Sequence, residues 1–435
     1  MQFHFLLGFL LLTAPAVGRN AAPSVAHPTA SPDTPVRVRV VHTSAGYQLL
    51  RAGQPYFIKG AGGSSYLDRL AAYGGNSVRT WSTDDASRVL ADAQTHGLTV
   101  LLGLNVARER HGFNYDDPQA VAAQLATLRA EVVKYKDAPA LLMWGIGNEL
   151  NLDYTNPKVW DAVNAIARMI HEVDPLHPVT TVLAGIGKKE VDFIKVKCPA
   201  LDLLAINTYA GLLTLPQQVR EAGWPGAYVV GEWGPTGHWE GPQTPWKASV
   251  EETSAQKAAV YQARYEASVP RDATRCLGSY VFLWGQKQER TPTWYGLFTE
   301  AGQETEVIDV LQYLWTNAWP VNRAPHLASF RLNGQAATDG ITLRPNVPCP
   351  VVAAVTDPDG DPLTYRWELL PESTDLKQGG DRESRPPPIN DRLTANGGRA
   401  TLRAPTTAGA YRLFLYATDG HDNVATANIP FLVQP

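Results

Sequence analysis

Cysteine is scarce in this sequence. The 435 residues hold three, Cys198, Cys276 and Cys349. An odd number leaves at least one thiol free, and their spacing fits no metal motif. Disulfides therefore do not organise the chain, and Cys276, opening an apolar run, reads as a small buried residue. Charge is scarce as well. Asp, Glu, Lys and Arg make up 18% of the residues with a net charge of −4, which lacks the basic footprint of a nucleic-acid partner. Long apolar runs are missing. Phe5–Leu12 is shorter than the roughly 20 residues that cross a bilayer, and no other segment qualifies, so no membrane span is expected. No Gly-x-Gly-x-x-Gly follows the first strand, which removes the main sign of an open dinucleotide-binding sheet. No cluster of His and Cys points to a catalytic metal, and no cofactor is expected.

The N-terminus has its own character. An apolar run followed by small residues reads as a signal peptide over residues 1–19, although no Lys or Arg precedes the run. No Cys follows it, so a lipid anchor is not indicated. The mature protein is expected outside the cytoplasm, extracellular or periplasmic. Residues 20–36, "NAAPSVAHPTASPDTPV", are small, polar and Pro-rich, and read as a disordered leader.

What is abundant is aromatic rings with a polar handle. Twelve Trp and 17 Tyr stand against 11 Phe, a profile suited to faces that are half apolar and half wet. From residue 37 onward, apolar strands alternate with helical patterns. "PYFIKGAGG" (55–63), "GGNSVRTWS" (74–82), "LTVLLGLN" (98–105) and "ALLMWGIGNE" (140–149) are the first four strands. "HPVTTVLAG" (177–185), "LDLLAINTY" (201–209), "GAYVVGEWG" (226–234) and "GSYVFLWG" (278–285) are the second four. Continuous apolar strands are expected where both faces of a sheet are covered. Between them, Val121, Leu125, Leu128 and Val132 form one helical stripe, and Val159, Val163, Ile166, Ile170 and Val173 another. Eight such units fit a closed (β/α)8 TIM barrel over residues 37–320. From 326 to 435 the helical period vanishes. Short β-runs separated by Pro, Gly and Asp turns imply an all-β sandwich, Ig-like or PKD-like, with a polar loop over 372–395.

In a parallel barrel, functional residues sit at the C-terminal ends of the strands. Those ends carry Arg79 and Trp81 on strand 2, Asn148 and Glu149 on strand 4, and Asn207 and Tyr209 on strand 6. Strand 7 ends in Glu232 and Trp233, and strand 8 in Trp284. Each alone has a structural explanation: a cap, a salt bridge, a core ring. Together they converge on one mouth. Three βα units separate Glu149 from Glu232, which sets two carboxylates across that mouth. Glycoside hydrolysis needs this pair, one to protonate the leaving oxygen and one to attack or to activate water. Arg79 and Tyr209 are placed to keep one carboxylate ionised, while a less compensated Glu in an apolar pocket stays protonated. Asn148 offers an amide to a sugar hydroxyl, and Trp284 a flat face for a pyranose ring.

Other residues are candidates of a second kind. Trp233, Trp239 and Trp246, with His238, are suited to subsites around Glu232 on a loop at the functional end. Arg108, Glu109, Arg110 and His111 either meet sugar hydroxyls or form a solvated rim. Asp153 and Tyr154 are placed to face a leaving-group subsite. Asp357, Asp359 and Asp361 in "TDPDGDPLTYRWEL" lack the spacing of an EF-hand loop. They are read either as a calcium site or, the favoured reading, as an Asp/Gly/Pro turn between two strands.

The motifs carry a family resemblance. "FIKG", "VRTW", "GNEL", "NTY", "GEWG" and Trp284, on strands 1, 2, 4, 6, 7 and 8, resemble retaining glycoside hydrolases of the (β/α)8 clan with strand-4 and strand-7 glutamates. Within that clan, "PYFIKGAGG" and "GNEL" are most similar to the catalytic domain of glycoside hydrolase family 2, and "FIKG" is also similar to fungal-type β-1,3-glucanosyltransferases. The β-sandwich domains that family 2 carries before its barrel are not read ahead of strand 1. The resemblance implies Glu149 as acid/base, Glu232 as nucleophile, Asn148 on the sugar 2-hydroxyl, and Tyr209 and Arg79 supporting Glu232. The expected function is a secreted retaining β-glycoside hydrolase acting on a β-linked glycan. Its alternatives are a β-glucan transglycosylase and a non-catalytic carbohydrate-binding protein.

Overall fold

The structure, a computed structural model, describes residues 34–389 and 391–435. The signal peptide expected over 1–19, and all but the end of the leader expected over 20–36, lie outside the described residues. Eight parallel strands close into a barrel: β1 (Ile58–Gly62), β2 (Ser77–Arg79), β3 (Thr99–Leu104), β4 (Leu141–Ile146), β5 (Val179–Ala184), β6 (Leu203–Asn207), β7 (Tyr228–Trp233) and β8 (Cys276–Val281). Each pairs with its chain neighbour, and β8 closes on β1 through Gly278–Val281 against Ile58–Ala61. Seven fall within the apolar runs of the sequence, and β8 overlaps its run but begins two residues earlier, at Cys276.

Eight helices accompany the strands: α1 (Leu67–Ala72), α2 (Ala86–Thr95), α3 (Pro118–Tyr135), α4 (Lys158–Val173), α5 (Lys188–Lys197), α6 (Leu215–Ala222), α7 (Ser254–Ser268) and α8 (Glu306–Thr316). The local chemistry of α3 follows the sequence. Asp117 caps it by accepting from the backbone N–H of Gln119 (2.9 Å) and Ala120 (3.1 Å), and Pro118 occupies the first turn, where its missing N–H costs nothing. On α4, Val159, Val163, Ile166 and Ile170 are buried, the stripe that its 4-3-4 spacing implies.

Strand side chains alternate between two cores. Leu101, Met143, Val182, Ala205, Val229 and Tyr280 fill the barrel interior. Leu102, Trp144, Leu183, Ile206, Val230 and Val281 face the helices. A hairpin of Val38–Thr43 and Gly46–Arg51 adds Val38 and Leu49 to the interior cluster.

The C-terminal part is a β-sandwich. One sheet holds β9 (His326–Leu332), β10 (Pro348–Thr356), β12 (Leu393–Asn396) and β13 (Arg399–Arg403) in the order β9-β10-β13-β12. The other is built on β11 (Thr364–Pro371), β14 (Gly409–Thr418) and β15 (Asn423–Val433), all antiparallel. Leu332, Val351 and Leu402 from the first sheet share a core with Leu413, Leu415, Ile429 and Phe431 from the second. Between β11 and β12 lies a long strand-free segment, where the polar composition places it.

Sandwich and barrel are joined through β15. The short strand Glu304–Thr305, ahead of α8, pairs parallel with Asn423–Val424. Thr426 N donates to Ser254 Oγ at the start of α7 (3.0 Å). The centre of the joint is Glu251, which accepts from Lys257 Nζ (2.6 Å), Thr291 Oγ1 (2.5 Å) and Asn428 Nδ2 (2.5 Å). Burial alone would raise the Glu251 carboxyl. The Lys257 charge and these donors outweigh it and hold the group below its usual range. Arg412 of β14 extends the network to Asn428 (2.6 Å) and to the Ser249 carbonyl (2.8 Å).

Removing one partner of a buried ion pair strands the other charge without solvent. Lys257→Met is therefore expected to cost about 3–5 kcal/mol, read as a lower urea midpoint. An unchanged midpoint would show that Glu251 does not need the ammonium.

Candidate active site

The C-terminal ends of the strands converge around one buried cation. Arg79, 1% exposed, follows Val78 on β2, and alternation turns it into the barrel mouth. Its Nη1 donates to Glu232 Oε1 (2.9 Å), to the Gly231 carbonyl (2.8 Å) and to Asn207 Oδ1 (3.3 Å). Its Nη2 donates to Asn148 Oδ1 (2.6 Å). One guanidinium thus ties together the ends of β2, β6 and β7 and the turn after β4.

Glu232 reaches this mouth through a backbone irregularity. On β7, Val229 faces the interior and Val230 the helices. Strict alternation would then aim Glu232 outward and Trp233 inward. The ladder to β6 slips instead, from Val230 opposite Ile206 to Glu232 opposite Asn207. This β-bulge at Gly231 re-aims the next side chain into the site. An added Cβ there would lie 2.7 Å from Asn207 Oδ1, so a larger residue would displace the amide that Arg79 holds. Two further donors meet Glu232: Trp81 Nε1 on Oε1 (2.7 Å) and Tyr209 OH on Oε2 (3.1 Å). Burial, and next the Glu232 charge, raise the Tyr209 phenol well above its ordinary value, so it stays a donor.

Glu149 lies in different surroundings. The chain after β4 turns through Gly147 (φ +67°) and Glu149 itself (φ +55°), a region uncommon for residues other than glycine. Glu149 N is held by the Val182 carbonyl (2.9 Å). The carboxyl accepts from Asn207 Nδ2 (2.9 Å) and has no cation in direct contact among the described residues. Burial pushes it up to about 7, and the nearby charge of Glu232 adds to the effect. One carboxylate therefore sits among three donors, while the other is poised to hold its proton near neutrality. Asn148 Oδ1 is engaged by Arg79 and by Asn207 Nδ2 (3.2 Å), and no described residue accepts from its amide nitrogen.

Both carboxyls line a cavity of about 300 Å³. Of the expected site residues, Trp81, Asn148, Glu149, Tyr209 and Glu232 line it, and Arg79 and Asn207 are bonded to them from behind. Trp233 and Trp284 do neither. The bulge that turns Glu232 inward turns Trp233 outward, fully buried against Tyr261 and Tyr265 of α7. Trp284 packs on Phe298 and Trp315, its Nε1 bonded to the Tyr66 carbonyl (3.0 Å). The strand ends at Val281 and the chain turns at Leu283, whose carbonyl accepts from Gly285 N (2.9 Å), so alternation is broken before Trp284. The strand-8 ring at the cavity is Phe282, edge-on to Trp81 (5.7 Å) and Tyr209 (6.2 Å). Its signal was parity, since it lies two residues beyond the inward Tyr280.

The loops complete the rim. Trp239 lines the cavity edge-on to Tyr209 (5.4 Å). Arg108 also lines it and donates to the Asn148 carbonyl (3.1 Å). Glu109 instead caps the segment after β4, accepting from Thr155 N (2.9 Å) and Asn156 N (3.0 Å). Lys287 enters beside Phe282, paired with Glu289 (2.7 Å). The far wall comes from the sandwich: Gly379, Gly380 and Asp381 of the β11–β12 loop. Asp381 is bound by Arg110 (3.1 Å) and His111 (3.1 Å), and Gly380 O by Lys287 Nζ (2.8 Å). No local pattern in the sequence marks that loop as part of a site on the barrel.

The Asp-rich turn lies elsewhere, beside the linker into the sandwich. Asp359 accepts from Arg323 N (2.7 Å) and Asp361 from Asn322 Nδ2 (2.7 Å). Asp357 Oδ1 accepts from the N–H of Asp359 and Asp361, the pattern of a turn. Carboxylate oxygens of Asp357, Asp361 and Asp419, rather than Asp359, lie within 4.8 Å of one another. Among the described residues, no helix is long and apolar enough to cross a membrane.

Residues 77–220 match the family model described as glycosyl hydrolases family 2, TIM barrel domain. Similar solved structures include a β-D-glucuronidase of Dictyoglomus thermophilum, 18% identical with a TM-score of 0.52 over 65% of this chain and 54% of that one. A Bacteroides uniformis β-glucuronidase is 14% identical with a TM-score of 0.50, over 92% of this chain and 48% of that one. A family 2 β-galacturonidase from Eisenbergiella tayi, bound to galacturonate, is 17% identical with a TM-score of 0.50, over 65% and 55%. The chain spans about half the length of these solved structures. No curated protein matches it. Over residues 77–220 the barrel is similar to the family 2 catalytic domain, the resemblance its motifs imply.

If the Glu232 charge helps to raise the Glu149 carboxyl, Glu232→Gln should bring it below 7 yet leave it above the ordinary carboxylate range, because burial persists. Carbon NMR titration of carboxyl-labelled Glu reads this. A Glu149 titration identical in both proteins would show that the two groups are not coupled.

Proposed function

We propose that this chain, with its family 2-like barrel, is a secreted retaining β-glycoside hydrolase. The observation that carries the reading is the unequal setting of two carboxyls at one mouth. Glu232, among three donors of which one is the Arg79 cation, suits a carboxylate nucleophile. Glu149, with its proton retained near neutral pH, suits a general acid. The apolar run at Phe5–Leu12 supports export.

The chemistry follows from this division. The Glu232 carboxylate attacks the anomeric carbon and forms a glycosyl ester. The bond to the leaving oxygen breaks, its electron pair stays on that oxygen, and Glu149 delivers a proton there. Glu149, now ionised, takes a proton from water. The resulting hydroxide attacks the same carbon and releases Glu232. A sugar hydroxyl in place of water would give transfer. The free amide nitrogen of Asn148 is placed to donate to a hydroxyl beside the reacting carbon. Phe282 and Trp81 offer apolar ring edges to the sugar.

The test is a panel of β-glucosides, β-galactosides, β-glucuronides and β-linked oligosaccharides. Uronides belong in it because Arg108 and Lys287 line the pocket. The parent should cleave at least one, and proton NMR should show the first product in the β configuration. An α product would replace retention by inversion. Glu149→Gln should lower kcat/KM by about 10²–10⁴ on unactivated leaving groups. Glu232→Gln should abolish turnover and keep binding. Unchanged binding and no turnover in parent and variant alike would mark a glycan-binding protein. Because Glu149 acts first in its protonated form, kcat/KM should fall as pH rises through about 7. An alkaline limb that persists unshifted in Glu149→Gln would assign that ionisation to another group.

A further inference from the structure

A second cavity opens beside the first. It holds about 1200 Å³, four times the 300 Å³ of the pocket at the two carboxyls, and exceeds the roughly 300–1,000 Å³ of most small-molecule sites. Glu149 borders both cavities, whereas Glu232 borders only the smaller. The larger space therefore adjoins the carboxyl that protonates the leaving oxygen. Its walls come from both parts of the chain. Leu152, Trp239 and Trp246 stand on the barrel side, and Leu376, Ile389 and Tyr411 on the sandwich side.

Two observations set this space apart from an imperfect joint. Large apolar side chains from each side are left uncovered in it, Trp239 at 58% and Leu376 at 53% exposed. The walls are nevertheless pinned to one another, by Arg110 to Asp381 (3.1 Å) at one edge and by Arg412 to the Ser249 carbonyl (2.8 Å) at another. Uncovered rings and aliphatic groups held at a fixed separation are the elements of a preformed ligand site.

We propose that this chamber receives the leaving group of the glycoside, and that the leaving group has two or more rings with flat apolar faces. The sandwich is then part of the substrate site, and selects substrates by what is attached to the cleaved sugar. Both a short oligosaccharide and a polyphenol fit that chemistry. The inference rests on the glycosidase reading above.

Matched substrates separate the two ideas. A β-glycosyl fluoride carries the sugar alone, and its departing fluoride leaves the chamber empty. The fluorides of glucose, galactose and glucuronic acid are compared with β-glycosides of the same sugars on cellobiose and on naringenin. Leu376→Ala and Ile389→Ala, singly and together, are assayed beside the parent. Fluoride hydrolysis should be unchanged, which also reports that the variants fold. kcat/KM on a ringed leaving group should fall by about tenfold or more. Loss on the cellobiose substrate alone identifies a saccharide, and loss on the naringenin substrate alone an aromatic aglycone. Equal losses on fluoride and glycoside, or none on either, would overturn the chamber's role. Failure of the parent to hydrolyse any fluoride would instead overturn the glycosidase reading itself.

Discussion

The contact between Arg79 and Glu232 governs the mouth of the barrel. A fully buried guanidinium is costly unless its charge and its donors are met. Here Glu232 meets the charge, and Glu232, the Gly231 carbonyl, Asn207 and Asn148 meet the two terminal nitrogens, while Nε has no partner among the described residues. Satisfying that one cation fixes the ends of three strands and the turn after a fourth. It also orients Asn148 and Asn207 by engaging their amide oxygens, which leaves their nitrogens for other partners. Asn207 spends its nitrogen on Glu149 and Asn148. The two carboxyls are thus linked through shared amides, yet only one has a cation against it.

That asymmetry is what chemistry at one mouth requires. Two identical carboxyls in identical surroundings would compete for the same proton. Burial raises Glu149, the nearby charge of Glu232 adds to it, and the single neutral donor, Asn207, opposes them only in part. The bulge at Gly231 and the left-handed backbone at Glu149 are the local irregularities that bring the two groups into range. Both depart from ideal strand geometry, as functional positions commonly do.

The sandwich changes the site from an open rim to a bounded space. Its β11–β12 loop reaches across to Arg110, His111 and Lys287, and its β14–β15 face is welded to the barrel through Glu251, Asn428 and Arg412. Polar contacts of this kind set position more than they add stability, since each buried charge must first lose its water. Their effect is to hold two apolar walls apart at a fixed distance.

Much of this was legible in the residues alone. Continuous apolar runs located all eight barrel strands, because a strand buried on both faces needs no polar alternation. Helical spacing located α3 and α4, and Asp117-Pro118 the start of α3. Polar side chains closing apolar runs marked Arg79, Trp81, Asn148, Glu149, Asn207, Tyr209 and Glu232, because a strand end is where a buried core meets the mouth. The direction of individual side chains was not legible. Trp233 and Glu232 are neighbours in one motif, and only a register slip against β6 decides which faces the site. Trp284 outranks Phe282 as a carbohydrate platform by residue type, and only the turn after Val281 reverses them. The segment 372–395 has the composition of a solvated loop, and nothing within it refers to the barrel it covers. Local sequence determined the elements and their chemistry, since hydrophobic period and capping act over a few residues. Tertiary structure alone decided how far burial raises the Glu149 carboxyl and where the sandwich closes the site, because burial, register and contacts between distant segments exist only once the chain has folded.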